Sequence, residues 1–194
     1  LIDISGEWEV ISMRDLINKY SNIDIYEFDT KEKLLSKIKE LKIDIDSSTP
    51  IEDLGYGNLV DQLYKKVARP NVVNPTFLIE HPISLSPLAR ANDDNNNLTD
   101  RFQLIINGAE IINAYSELVD PMEQERRLIE QASLKANGDE EAMEIDEDYI
   151  TALEYGLAPT GGMGMGIDRL AMLLTDSQTI RDVIAFPTLK KVEN

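Results

Sequence analysis

An α+β fold, an antiparallel sheet flanked by helices, is what this sequence predicts, and three observations lead there. Apolar residues fall at helical spacing through the first 70 positions, the texture turns to strand alternation from Pro75, and Asn107-Gly108 joins two apolar runs as a hairpin turn. The 194 residues suit one ordinary domain or two small ones, and 42% apolar with 28% charged residues is a globular balance. A core can form.

The elements follow in order. After a short alternating run through Trp8 and Val10, Ser12 opens an amphipathic helix over Met13 to Tyr20. Asp29 reads as the cap of a second helix, Lys31 to Leu41, with Leu34, Leu35, Ile38 and Leu41 on one side and lysines on the other. Residues 43 to 55 form a loop, and Asn58 to Ala68 forms a third helix stopped by Arg69-Pro70. Pro75 to Leu85 reads as a strand with Pro82 at its end or at an edge. Ala91 to Asn97 is a polar loop, and Arg101 to Ile106 with Glu110 to Leu118 makes an antiparallel pair. Asp120-Pro121-Met122-Glu123 supplies a cap, an N1 proline and a first-turn carboxylate for a helix reaching Lys135. Asp139 to Asp148, with seven acids in ten residues, reads as a solvated loop running into a helix over Tyr149 to Tyr155 that Gly156 closes. A glycine-rich strand, Gly161 to Ile167, and a helix, Asp168 to Thr175, come last.

Composition removes several kinds of chemistry. There is no Cys and one His, His81, so thiolate catalysis, disulfide scaffolds, zinc ribbons and serine triads lacking His81 are excluded. His81 itself reads as structural. Acids outnumber bases 36 to 19, the net charge is −17, and no basic nucleic-acid module stands out. No run approaches the roughly 20 apolar residues of a bilayer span, and the acidic opening is no secretory leader, so a cytoplasmic protein is expected. Because the chain opens at Leu1, it reads as a piece of a longer product, a processed chain or a trimmed one.

Two stretches carry candidate chemistry. On the strand from Glu110, residues two apart share a face, which puts Asn113, Tyr115 and Glu117 in one row and Ile112, Ala114, Ser116 and Leu118 on the other side. An amide, a ring and a carboxylate in a row can hold a small cationic ligand. Spacing alone favours an ordinary polar sheet face. In the second stretch, Gly162, Gly164 and Gly166 bare one face of a strand while Met163, Met165 and Ile167 are expected to bury the other. Glycine weakens a strand, so three at alternate positions point to close approach of a ligand or of another backbone, or to tight packing on a helix. Arg169 follows, able to stack on a purine or meet a phosphate. The spacing fits neither a dinucleotide fingerprint nor a Walker A loop.

Gly162-Met163-Gly164-Met165-Gly166-Ile167-Asp168-Arg169-Leu170, continuing through Ser177 to Pro187, resembles the third signature motif of class II aminoacyl-tRNA synthetases in its lysyl form. Ile83 to Arg90, Thr99-Asp100-Arg101-Phe102 and Glu110 to Leu118 are similar to the same family in the same order, and the resemblance covers about residues 55 to 190. It implies the C-terminal portion of a catalytic domain, with a helical insert over about 12–70 and the sheet and third motif over about 75–190. The implied function is ATP-dependent activation of L-lysine to lysyl-adenylate and its transfer to tRNA(Lys), in a cytoplasmic ligase that is a homodimer at full length. Asn113, Tyr115 and Glu117 would line the lysine pocket, with Glu117 pairing the ε-ammonium. Gly162, Gly164 and Gly166 would support ATP, and Arg169 would be the catalytic arginine that stacks on adenine or meets the γ-phosphate.

Glu110 and Gln103 would face Mg2+, Glu110 as the acid and Gln103, where the family has a second acid, through its amide oxygen. Strict alternation turns Glu110 away from Asn113, so this role requires a bulge or twist near Ile111. Nothing here matches the family's first or second motif or its N-terminal anticodon-binding domain, and an acidic chain should bind tRNA feebly. A paralogue that binds lysine or adenylate without charging tRNA is the alternative, supported by Gln103. An aspartyl or asparaginyl enzyme is disfavoured, because Glu117 would repel an acidic side-chain substrate.

Overall fold

A computed structural model describes residues 1–186. The end of the third-motif resemblance, from Pro187 to residue 190, lies outside the described residues. Five strands form one sheet in chain order: β1 (Glu9–Ser12), β2 (Thr76–Pro82), β3 (Leu98–Ile106), β4 (Ala109–Ser116) and β5 (Gly161–Met165). The expected antiparallel sheet is present with one addition. β1 pairs parallel to β2, which the intervening α1 (Met13–Ser21), α2 (Lys31–Glu40) and α3 (Tyr56–Val67) make possible as a long crossover. The other three pairings are antiparallel.

Helices cover one end of one face. Leu16, Ile17, Leu34, Ile38, Leu59, Val60 and Leu63 pack on Leu78 and Ile105 in the main core. The opposite face carries Leu104, Ile106 and Ile111 under Leu170 and Leu173 of α6 (Ile167–Thr175). α4 (Pro121–Ala136) packs on α5 (Glu147–Glu154) and reaches the carbonyls of Pro87 and Ala89 through Gln124 and Arg127.

Local sequence explains the helix ends, with several corrections. The Ser12 hydroxyl accepts from the Asp15 amide at 3.0 Å, as its position predicts. The cap of α2 is Thr30 rather than Asp29, whose carboxylate instead pairs with Lys33 at 2.7 Å. α3 starts at Tyr56, two residues early, and Gly55 at its N-cap has no side chain to cap with. The cap comes from Asp139, which accepts from the Gly55 amide at 2.7 Å and from the Asn58 carboxamide at 2.9 Å. Asp139 is therefore fully buried, and the acidic run is a solvated loop only beyond it. Gly57 lets α3 approach the 3-10 turn Ile83–Leu85 so closely that a Cβ would overlap the Ser84 carbonyl.

The strand expected over Pro75 to Leu85 ends at Pro82, and its ladder slips between Ile79 and His81, where Glu80 takes φ 57°. The hairpin at Asn107-Gly108 forms as expected, both residues having positive φ. Met163 and Ile167 are about two-thirds exposed rather than buried, because β5 is the outermost described strand and α6 leans on β3 and β4 instead.

Candidate active site

Register brings the two candidate stretches side by side. Asn113 pairs with Gln103 on β3 and Gly164 on β5, and Tyr115 pairs with Arg101 and Gly162. Cross-strand partners share a face, so the amide–phenol row and the bare glycines form one continuous surface. Glu117 lies just past the end of β4, held by a bridge to Ala89 and by its amide donating to the Thr160 carbonyl at 3.0 Å. Its carboxylate lies over Gly162, where a Cβ would overlap Oε1. At Gly164 a Cβ would meet only the Asn113 carbonyl, at 3.9 Å, so space above that part of the ribbon is open.

The bulge that Glu110 requires is there. Leu104 pairs with Ile112 and Ile105 with Glu110, leaving Ile111 as the extra residue. Glu110 consequently joins the face of Gln103 and Asn113, and Gln103 Nε2 donates to its Oε2 at 2.5 Å.

Charges on this face are sparsely compensated. Glu117 has no ion pair among the described residues, and burial raises its pKa above the ordinary carboxylate value. Burial, then the nearby Glu117 charge, raises Tyr115, which stays a neutral phenol. Arg101, which the residue reading did not single out, donates to Asn113 Oδ1 at 3.0 Å and Ser86 Oγ at 2.9 Å. It has no carboxylate in salt-bridge range among the described residues, and burial lowers its pKa. An arginine in a strand pattern reads as solvated, so only its partners give it away. Because Arg101 occupies the Asn113 oxygen, the Asn113 Nδ2 donor remains for a ligand.

Arg169 lies at the other end of the ribbon. Its aliphatic stem covers Gly166, and Nη1 donates to the Glu110 carbonyl at 2.7 Å. Glu117 lines a cavity of about 410 Å³ with Arg90, Thr160 and Gly161, whereas Arg169 lines another of about 220 Å³ with Ile106, Ile111 and Met172. Asn113 and Tyr115 line a third, with Arg101 and Met143. Among the described residues the candidates share one ribbon while lining these three separate cavities, and Glu117 and Arg169 mark the ribbon's ends. His81 is buried, and burial followed by the Arg101 charge pushes its pKa down to about 3, so it is neutral.

A glycine-floored antiparallel ribbon bearing a carboxylate with no ion pair among the described residues is a candidate ligand-binding face. The sequence matches the family described as tRNA synthetases class II (D, K and N) over residues 1–190, and the chain belongs to that family. It is 48% identical to a protein named lysine–tRNA ligase from Thermosipho africanus, over 98% of this chain and 36% of that one. A lysine–tRNA ligase from Trichormus variabilis is 45% identical over 97% and 33%, and one from Thermotoga maritima 46% over 97% and 36%. The chain spans about a third of the length of these relatives. Among the described residues no helix is long and apolar enough to cross a membrane.

Proposed function

We propose that this chain is the C-terminal portion of the catalytic domain of a lysyl-tRNA synthetase. As part of a longer, homodimeric, cytoplasmic enzyme, it would activate L-lysine with ATP and pass the lysyl group to tRNA(Lys). The observation that carries this reading is the half-buried, unpaired Glu117 carboxylate over Gly162, in line with Tyr115 and Asn113.

In this arrangement Glu117 pairs the ε-ammonium and Tyr115 lies along the aliphatic stem. Asn113 Nδ2 donates to the substrate carboxylate, its oxygen being held by Arg101. The open space over Gly164 admits the nucleotide, and Arg169 at the head of α6 meets phosphate or stacks on the base. A lysine carboxylate oxygen then attacks the α-phosphorus in line and pyrophosphate leaves, with fixed positive charge stabilising the transition state. The residues have no need of a general base, which fits a neutral, buried His81.

Magnesium fits here in a limited way. Among the described residues no three His, Cys, Asp or Glu side chains cluster as a metal cage, but Mg2+ commonly takes one or two carboxylates plus substrate phosphates. Glu110 would hold it, and its chemistry would be to neutralise phosphate charge as ATP binds.

Glu117→Gln in the full-length protein tests the reading. Loss of a charge-assisted bond worth about 1.5–3 kcal/mol weakens lysine roughly 10- to 150-fold in calorimetry and spares ATP. Unchanged lysine affinity rejects it. The paralogue reading, which Gln103 favours, predicts the same binding loss but no charged tRNA from the unmutated protein.

A further inference from the structure

Two irregularities flank β3, one on each side, and both turn a side chain onto the same face. The slip in the β2–β3 ladder after Ile79 sets His81 opposite Thr99, which shares its face with Arg101 and Gln103. The bulge at Ile111 in the β3–β4 ladder does the same for Glu110. Gln103 lies between them. Its Nε2 is 2.5 Å from Glu110 Oε2, and its Oε1 is 3.3 Å from His81 Nε2.

Donor and acceptor roles along this row follow from one fixed end. A carboxylate oxygen accepts, so the Gln103 amino group faces Glu110 and the Gln103 oxygen faces His81. His81 must then carry its proton on Nε2. The ring is fully buried, and moving the proton to Nδ1 would leave Nε2 and the Gln103 oxygen facing each other as two acceptors. Both ends of the Gln103 amide are thereby occupied inside the protein.

We propose that Gln103 is a positioning residue: clamped at its oxygen by His81, it aims the Glu110 carboxylate at the nucleotide-bound cation and gives that cation no oxygen of its own. This rests on the lysyl-adenylate reading, and it replaces the metal-ligand role that the resemblance implies for Gln103. Glu110 is then the one charged contact that this row offers the cation.

The test is Mn2+ affinity in the presence of ATP, read in the full-length protein from the electron paramagnetic resonance signal of free Mn2+. Glu110→Gln should weaken Mn2+ at least tenfold. Gln103→Met and His81→Phe should each weaken it severalfold, because the carboxylate loses its aim, and His81→Gln, which keeps a donor near the Nε2 position, should restore it. A ligand role for Gln103 predicts the opposite sign for His81→Phe, since the freed oxygen would turn to the metal. Tighter or unchanged Mn2+ binding in His81→Phe overturns the proposal. If that variant fails to fold, the smaller apolar replacement His81→Leu takes its place with the same opposite-sign outcomes, and wild-type affinity in Gln103→Met also overturns the proposal. No effect of Glu110→Gln overturns the nucleotide–metal reading itself and the proposal with it, which separates the two failures.

Discussion

Gly162 shows how tightly a single residue is specified. Glycine in a strand costs about 0.5–1 kcal/mol relative to alanine, yet here any Cβ would overlap the Glu117 carboxylate. That oxygen is the tip of a flexible side chain, so Gly162→Ala should fold and push Glu117 aside. Lysine affinity is then expected to drop about tenfold or more, while Gly164→Ala, with only a 3.9 Å contact to accommodate, leaves it unchanged. Equal lysine affinities for the two alanine variants in calorimetry would sink the placement of Glu117.

Acid should act on the same carboxylate. Its pKa is raised by burial, and the ammonium needs its ionised form, so lysine affinity falls on acidification at a pH above the ordinary value of 4.5. For stability the sign is opposite. A raised carboxylate pKa means the folded state binds the proton more tightly, so stability falls as pH rises through the interval between ordinary and raised values. Glu117→Gln should therefore flatten the acid limb of lysine binding yet leave the protein as stable as wild type, or slightly more so, at neutral pH. A mutant that retains the acid limb in a binding titration assigns it elsewhere. The Asn113, Tyr115 and Glu117 row could be read from alternation because a strand's period is two. The roles of Arg101 and Asp139 could not, since each depends on partners distant in sequence.

Among the elements, α4 connects sequence logic most directly to the site. Asp120, Pro121 and Glu123 start the helix as their order predicts, with Asp120 accepting from the Met122 amide at 2.9 Å. One turn on, buried Arg127 donates to Glu123 and, at 2.7 Å, to the carbonyl of Ala89, the residue bridged to Glu117. Arg126 depresses Glu123 most, followed by Arg127 against the opposing effect of burial, and its pKa falls to about 2. Arg126 is well exposed, so most of that depression reflects screened surface charge. Arg127→Met should cost about 1–3 kcal/mol, below the range for a fully buried pair because Glu123 is partly exposed, and should weaken lysine by loosening the Ala89 segment. Arg126→Met should cost less than about 0.5 kcal/mol. Urea midpoints separate the two, and equal losses would mean the tie to Ala89 contributes nothing. What the residue pattern could not supply was the ladder slips, because bulges break the very periodicity from which strands are read.

At the scale of the molecule, the fold pairs a well-filled core on one face of the sheet with a thinly covered opposite face. Val10, Met163, Met165 and Ile167 are exposed, and α6 contains no buried residue. Val10 and Met165 are the exposed ends of one row whose middle, Phe77, Leu104 and Ile112, is covered. Exposed apolar side chains gathered on β5 and the start of α6, on a protein that is 28% charged, are expected to favour association. A net charge of −17 opposes self-association, but that repulsion is screened beyond about 10 Å at 0.1 M salt, whereas apolar burial is not. These 194 residues produced alone should therefore associate more as salt is raised, contrary to an assembly held by ion pairs. Sedimentation velocity at about 0.02 and 0.5 M salt reads the effect. Met163→Lys combined with Met165→Lys should return the chain to monomer, the two changes placing charge on β5 without touching the glycine face. Association that weakens with salt, or that survives the double substitution, would locate the contact elsewhere on the molecule.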